Sequence, residues 1–171
     1  GRGGDVLRAR REERHALGPV YLRLGKAGEP DLSANAPETF AFGKLRYLQR
    51  GGDVCILGYG PILKLGFDLA AKFAARGESA SVVSCHTLKP LDRAGLVAAM
   101  AAHKRLVVIE EMAPYGGLGP RVKEIAWDMG ARCKVDSFAL KDEFIHCHGS
   151  HAELQAAHGL DLKTIAAELG L

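Results

Sequence analysis

The most constraining feature of the chain is a short, nearly continuous apolar run from Asp53 to Tyr59 that breaks at Gly60-Pro61 into a segment of helical period. A run that short, with no polar alternation, fits a strand buried on both faces, as in parallel sheets covered by helices. Proline at the first helical position suits the turn that follows. Ile62, Leu65, Leu69 and Phe73 then recur at three and four residues, and Gly77 stands where a left-handed residue closes a helix. The same unit then repeats. Ala80 to Cys85 predicts a strand, His86 to Leu91 a turn, and Asp92 the cap of a helix to His103 that turns Leu96, Val97 and Met100 inward. Leu106 to Glu110 predicts the next strand, Tyr115 to Pro120 a tight turn, Val122, Ile125 and Trp127 a further helical face, and Cys133 to Phe138 the last strand. Ser150 and Glu153 form a capping box for a short helix to about His158, and a final helix spans Leu162 to Leu169.

This alternation predicts an α/β fold with a mostly parallel sheet, helices on its faces and right-handed crossovers. Ahead of it, Val20 to Leu24 reads as an isolated strand and the Gly/Pro-rich stretch to about Pro37 as a linker. Phe40 to Leu48 alternates apolar and polar residues and stops at Gly51-Gly52, so it is expected as an edge strand, antiparallel to the rest.

Composition narrows the function classes. The 171 residues are 47% apolar and 25% charged, enough for a core in one to one and a half domains. No apolar run approaches the ~20 residues of a membrane span. Twenty-three Lys and Arg against 20 Asp and Glu give +3, with the excess at the amino end in Arg2, Arg8, Arg10, Arg11 and Arg14; this is not a nucleic-acid charge balance. Residues 1–17 lack the apolar core of a secretory signal and read as the trimmed end of a larger protein. Cys55, Cys85, Cys133 and Cys147 lie far apart without a CxxC and read as reduced, mostly buried thiols, so the expected compartment is the cytoplasm.

Each motif with chemical potential has a plainer reading beside it. Gly58-Tyr59-Gly60 and Gly116-Gly117-Leu118-Gly119 put backbone N–H groups at helix amino ends, where phosphate binds, yet neither is a full dinucleotide fingerprint and tight-turn glycines explain both. His146-Cys147-His148-Gly149-Ser150-His151 offers zinc-type ligands, but neighbours in a loop diverge and no second pair stands at a structural-site distance. Ser81 and Ser84 lie in a strand without GxSxG, and Cys85 and His86 diverge in an extended segment. Glu110 and Glu111 face opposite sides of a strand end, so at most one enters a crevice; a structural role bonding the glycine-turn amides is the favoured reading. Arg23, inside an apolar strand, and Lys26, just past its turn, could hold an anionic substrate, or could be a snorkelling Arg and a solvated Lys.

Six stretches in register, Gly18 to Lys26, Gly52 to Gly60, Leu88 to Asp92, Val108 to Glu111, Gly116 to Gly119 and Phe144 to Gly149, resemble the carboxy-terminal part of transketolase-type, thiamine-diphosphate-dependent enzymes. That superfamily joins transketolase, 1-deoxyxylulose 5-phosphate synthase and the beta subunits of 2-oxoacid dehydrogenases. The resemblance implies a three-layer α/β/α sandwich with a five-stranded, mostly parallel sheet and one antiparallel edge strand. It divides the chain into 1–26, the end of a pyrimidine-binding domain, 27–37, a linker, and 38–171, the carboxy-terminal domain. It implies thiamine diphosphate and Mg²⁺ in the complete enzyme, held by pyrimidine and diphosphate modules. This chain lacks GDG followed by NN, so no cofactor binding, no catalytic residue and no activity are expected of it alone.

By this resemblance Lys26 matches a basic position that binds substrate phosphate in sugar-phosphate members, with Lys where Arg is usual, which forgoes a bidentate grip, and Arg23 matches a second basic position of the deoxyxylulose synthase type; both are the expected phosphate-binding residues. The expected function is the dimerising part of a transketolase that moves two-carbon ketol units between sugar phosphates. The expected partners are a second copy, a chain or further domains carrying the missing pyrimidine- and diphosphate-binding modules, and a sugar-phosphate substrate. A deoxyxylulose phosphate synthase part, a 2-oxoacid dehydrogenase beta-subunit part, a non-catalytic assembly module and a flavodoxin-like nucleotide binder remain the alternatives.

Overall fold

The computed structural model describes Pro19, Tyr21 and residues 30–171. The strand expected from Val20 to Leu24, together with Arg23 and Lys26, lies outside the described residues. From residue 46 the elements are β1 (Arg46–Gln49), β2 (Val54–Gly58), α1 (Leu63–Ala75, entered through a 3-10 turn at Gly60–Ile62) and β3 (Ala80–Ser84). There follow α2 (Arg93–Ala102), β4 (Arg105–Ile109), α3 (Leu118–Asp128), β5 (Lys134–Phe138), α4 (His151–Ala157) and α5 (Leu162–Leu169). The sheet order is β1-β3-β2-β4-β5, with only the β1/β3 pair antiparallel. The five-stranded mixed sheet with helices is the expected fold.

All five residues of β2 are buried, and they divide between two cores because strand side chains alternate. Val54 and Ile56 join Leu69 and Phe73 of α1 and Ile165 and Leu169 of α5 on one face. Cys55 and Leu57 join Leu96 and Met100 of α2 and Val122 and Ile125 of α3 on the other. Helices therefore cover both faces, and the continuous apolar run is the sequence signature of that double burial.

Local signals act as read. The Asp92 carboxylate accepts from the Gly95 N–H at 3.1 Å to cap α2, the Ser150/Glu153 capping box is complete, and Gly77 has φ +79 just past α1. The Asp92 carboxylate also accepts from the Leu45 N–H at 3.0 Å, which fastens the approach to β1 onto the start of α2.

Two expectations need correction. The strand predicted over Phe40 to Leu48 is only Arg46–Gln49: Gly43 at φ +72 turns the chain over Pro90, and Phe40 leaves the sheet to meet His86 with ring centroids 4.4 Å apart. Tyr47, whose N–H faces away from the sheet, donates at 2.8 Å to the Glu38 carboxylate, which blunts that edge. Trp127, expected on the inward face of α3, is 88% exposed. It follows Val122 by five residues, about 140° around the helix at 100° per residue.

Candidate functional site

The strand order reverses direction between β2 and β4, and in sheets of this kind the crevice outside the carboxyl ends at such a switch point is where ligands bind. Tyr59 and Gly60 leave β2 there, Glu110 and Glu111 leave β4, and the glycine turn leads from them into α3.

Glu110 is fully buried, and its two carboxylate oxygens accept from the first N–H groups of α3, Leu118 and Gly119, each at 2.7 Å. A carboxylate here meets the positive end of the helix dipole and satisfies donors that have no partner within the helix. The helix end that could receive a phosphate is thus filled by the protein's own anion, and the glycines serve that closure. A Cβ on Gly117 would overlap both carboxylate oxygens, and one on Gly119 would overlap the Ser137 hydroxyl. The Tyr59 phenol donates to the same carboxylate at 3.2 Å. Burial, with the Glu110 charge beside it, pushes that phenol up to about 12. The expected structural role of Glu110 is the one observed; the Tyr59 contact carries no sequence signal, because it joins residues 51 apart.

Glu111 points the other way. It accepts from Gln155 at 2.7 Å and sits 2.5 Å from Nε2 of His151, which moors α4 to the end of β4. That contact takes up His151. His146, Cys147 and His148 are exposed in a stretch without helix or strand, and among the described residues no group of three or more His, Cys, Asp and Glu side chains is placed to hold a metal ion. A second histidine acts structurally: Nδ1 of the buried His158 accepts from the Lys141 N–H at 3.0 Å.

The nucleophile candidates separate likewise. Cys85 is 1% exposed, and burial pushes its thiol up to about 12; His86 turns away, with Nε2 3.0 Å from the Ala41 carbonyl. Cys55, also buried, is pushed to about 12. Ser81 is consumed by Gly51, accepting from its N–H at 2.9 Å and donating to its carbonyl at 2.8 Å. At the described carboxyl edge Leu88, Met112, Tyr115, Phe144 and Ile145 are exposed on the loops that leave β3, β4 and β5. The α3 amino end, filled by the Glu110 carboxylate, has no free N–H at Leu118 or Gly119 to offer a diphosphate.

Residues 43–165 match the family model for the transketolase C-terminal domain. The chain is 34% identical over 152 residues to 1-deoxy-D-xylulose-5-phosphate synthase of Idiomarina loihiensis, covering 89% of this chain and 24% of that protein. It is 29% identical over 147 residues to one of the subunits of apulose-4-phosphate transketolase of Phocaeicola vulgatus, covering 86% of this chain and 46% of that one. It thus spans from about a quarter to about half of these relatives. Among solved structures, a split-gene transketolase in an inactive beta4 tetramer superposes with TM-score 0.79 at 28% identity, over 94% of this chain and 52% of that one. Transketolase from Campylobacter jejuni, 12% identical, shares the fold with TM-score 0.54 over 80% of this chain and 20% of that one. The match over most of the chain, and the sheet order beneath it, make this protein a member of the transketolase C-terminal domain family.

Proposed function

We propose that this chain is the carboxy-terminal, organising part of a thiamine-diphosphate-dependent transketolase, transferring two-carbon ketol units between sugar phosphates. The reading rests above all on the similarity to the split-gene transketolase chain over 94% of this sequence. The relative that forms one subunit of an apulose-4-phosphate transketolase supports the same division of labour between chains. Thiamine diphosphate and Mg²⁺ supply the carbanion chemistry when bound by the complete enzyme, on pyrimidine and diphosphate modules carried by a partner chain or by further domains. In this chain, residues 1–26 are the end of a pyrimidine-binding domain, 27–37 a linker and 38–171 the organising domain. Its contribution is to pair subunits and present Lys26 and Arg23 to the substrate phosphate. Among the described residues no helix is long and apolar enough to cross a membrane, which accords with a cytoplasmic assembly.

A second reading, part of a 1-deoxyxylulose 5-phosphate synthase, is favoured by the 34% identity to that enzyme. One experiment separates the two. The chain is assayed alone and with a co-purified partner, with thiamine diphosphate and Mg²⁺, for ketol transfer from xylulose 5-phosphate to ribose 5-phosphate and, in parallel, for formation of 1-deoxyxylulose 5-phosphate. Ketol transfer only with the partner is the expected result. Synthase product instead selects the second reading, and neither activity with a correctly assembled partner overturns both. In the active assembly, Lys26→Ala is expected to raise KM for the sugar phosphate about tenfold with kcat little changed, the signature of a lost ground-state contact to phosphate.

A further inference from the structure

At the edge of the sheet opposite the Glu110 crevice, the carboxyl ends of α2 and α3 diverge around a cavity of about 520 Å³. That size falls in the range of small-molecule sites, which are mostly apolar with a few polar groups. Its walls are Val97, Met100 and Ala101 from α2 and Met129, Ala131 and Cys133 from the segment after α3. No Asp or Glu lines it, whereas three basic side chains do: His103, Lys104 and Arg132.

The three are not equivalent. His103 is buried, with Nδ1 2.8 Å from the Ala99 carbonyl and Nε2 within 3.2 Å of Gly51 O and Ser81 Oγ, so it serves as wall. Lys104 is shared with Asp53 at 3.0 Å. Arg132 is exposed and forms no hydrogen bond or ion pair with any described residue. Two further features bear on the charge the cavity presents. Burial pushes the Cys133 thiol up, so it stays neutral. At the end of α3, Ile125 O, Ala126 O and Trp127 O accept from the N–H groups of Met129, Ala131 and Gly130, and at the end of α2 Ala99 O accepts from that of His103.

We propose that this cavity binds a small amphipathic organic carboxylate, its apolar body against Met100, Val97 and Met129 and its head on the Arg132 guanidinium. A guanidinium receives a carboxylate through two parallel N–H bonds, a geometry that Lys104, already paired, cannot supply. An apolar body without charge would leave Arg132 unused, and a small carboxylate without a body would leave the floor wet. Binding therefore requires both halves of the ligand.

The test titrates the full chain with octanoate, octan-1-ol and acetate, read by calorimetry and by amide chemical shifts, with the fluorescence of Trp127, the sole tryptophan and two residues from Met129, as a third signal. Saturable octanoate binding is expected, with shifts centred on Val97, Met100, Ala101, Met129 and Ala131. Octanol and acetate are expected at least tenfold weaker. Arg132→Gln, at an exposed side chain without a partner among the described residues, should weaken octanoate about tenfold and leave octanol unchanged; Lys123→Gln, on α3 outside the cavity, should change neither. Ala101→Phe, which fills the mouth from an exposed position, should abolish octanoate binding. Three results would each overturn the proposal: no saturable shift at millimolar octanoate, shifts centred elsewhere, or octanol binding as tightly as octanoate with Arg132→Gln silent. The last would mark an apolar patch for a protein partner. None of these readouts depends on enzyme activity, so the outcome is independent of the proposed function.

Discussion

Glu110→Gln is the substitution that most directly probes the junction between β4 and α3. The carboxylate accepts two backbone N–H bonds at 2.7 Å and a phenol O–H at 3.2 Å in a site without solvent. An amide of the same shape can accept from only one of the two N–H groups, and its own NH₂ must face the other. A buried donor left without an acceptor costs about 1–3 kcal/mol. Loss of the negative charge at the helix amino end adds roughly 1 kcal/mol. The sum is about 2–4 kcal/mol, and for a chain of this length each kcal/mol lowers Tm by roughly 2–4 °C, so a drop of roughly 6–12 °C is expected at the middle of that range. Urea denaturation followed by circular dichroism measures it, with Tyr59→Phe alone expected at about 1 kcal/mol. Because the two share a hydrogen bond, the double variant should be less destabilised than the sum of the singles. An E110Q protein within about 0.5 kcal/mol of the parent, the range of an ordinary surface change, would refute the assignment of Glu110 as the internal anion of α3.

Three further outcomes are expected. Gly119→Ala, whose methyl would overlap the Ser137 hydroxyl, should destabilise by about 2 kcal/mol or more in the same assay, whereas Gly60→Ala, open on all sides but at φ +72, should show only the ~1 kcal/mol of a left-handed residue. Asp92→Ala removes the cap of α2 together with the acceptor of the Leu45 N–H; a loss of about 1–2 kcal/mol is expected, with amide exchange accelerated at Leu45 as well as Gly95. Asp53 is held at about 2, below its ordinary 3.8, by the Ser79 N–H, the Lys104 ammonium and the Ser79 hydroxyl. Its folded pKa is depressed, so its contribution is complete above about 4 and is lost as pH falls towards 2; Asp53→Asn should flatten the stability profile over that window, and an unchanged acid limb would contradict the assignment.

The carboxyl-edge crevice was legible in part. The pair Glu110-Glu111 at a strand end, followed by a glycine turn, carries the logic of a carboxylate bonding helix N–H groups, because strand alternation lets only one of two neighbours face the turn. That His151 would meet Glu111, 40 residues away, and that Tyr59 would meet Glu110 depend on which strands become neighbours, and no local pattern encodes that. Trp127 shows the opposite case: its spacing from Val122 already places it off the buried face, and apolar character alone suggested otherwise.

By itself the sequence determined the alternation of strands and helices, the doubly buried centre at β2, the caps at Asp92, Ser150 and Gly77, and the family resemblance, since all of these follow from residue periodicity, side chains bonding their own backbone, or motif order. Only the tertiary structure decided the order β1-β3-β2-β4-β5, the shortening of β1 and the filling of the α3 amino end by Glu110. It also decided the cavity between α2 and α3 that leaves Arg132 without a partner among the described residues. The physical reason is range: a cap or a helical face is settled among residues three or four apart, whereas buried charge and open space are set by which distant segments come together.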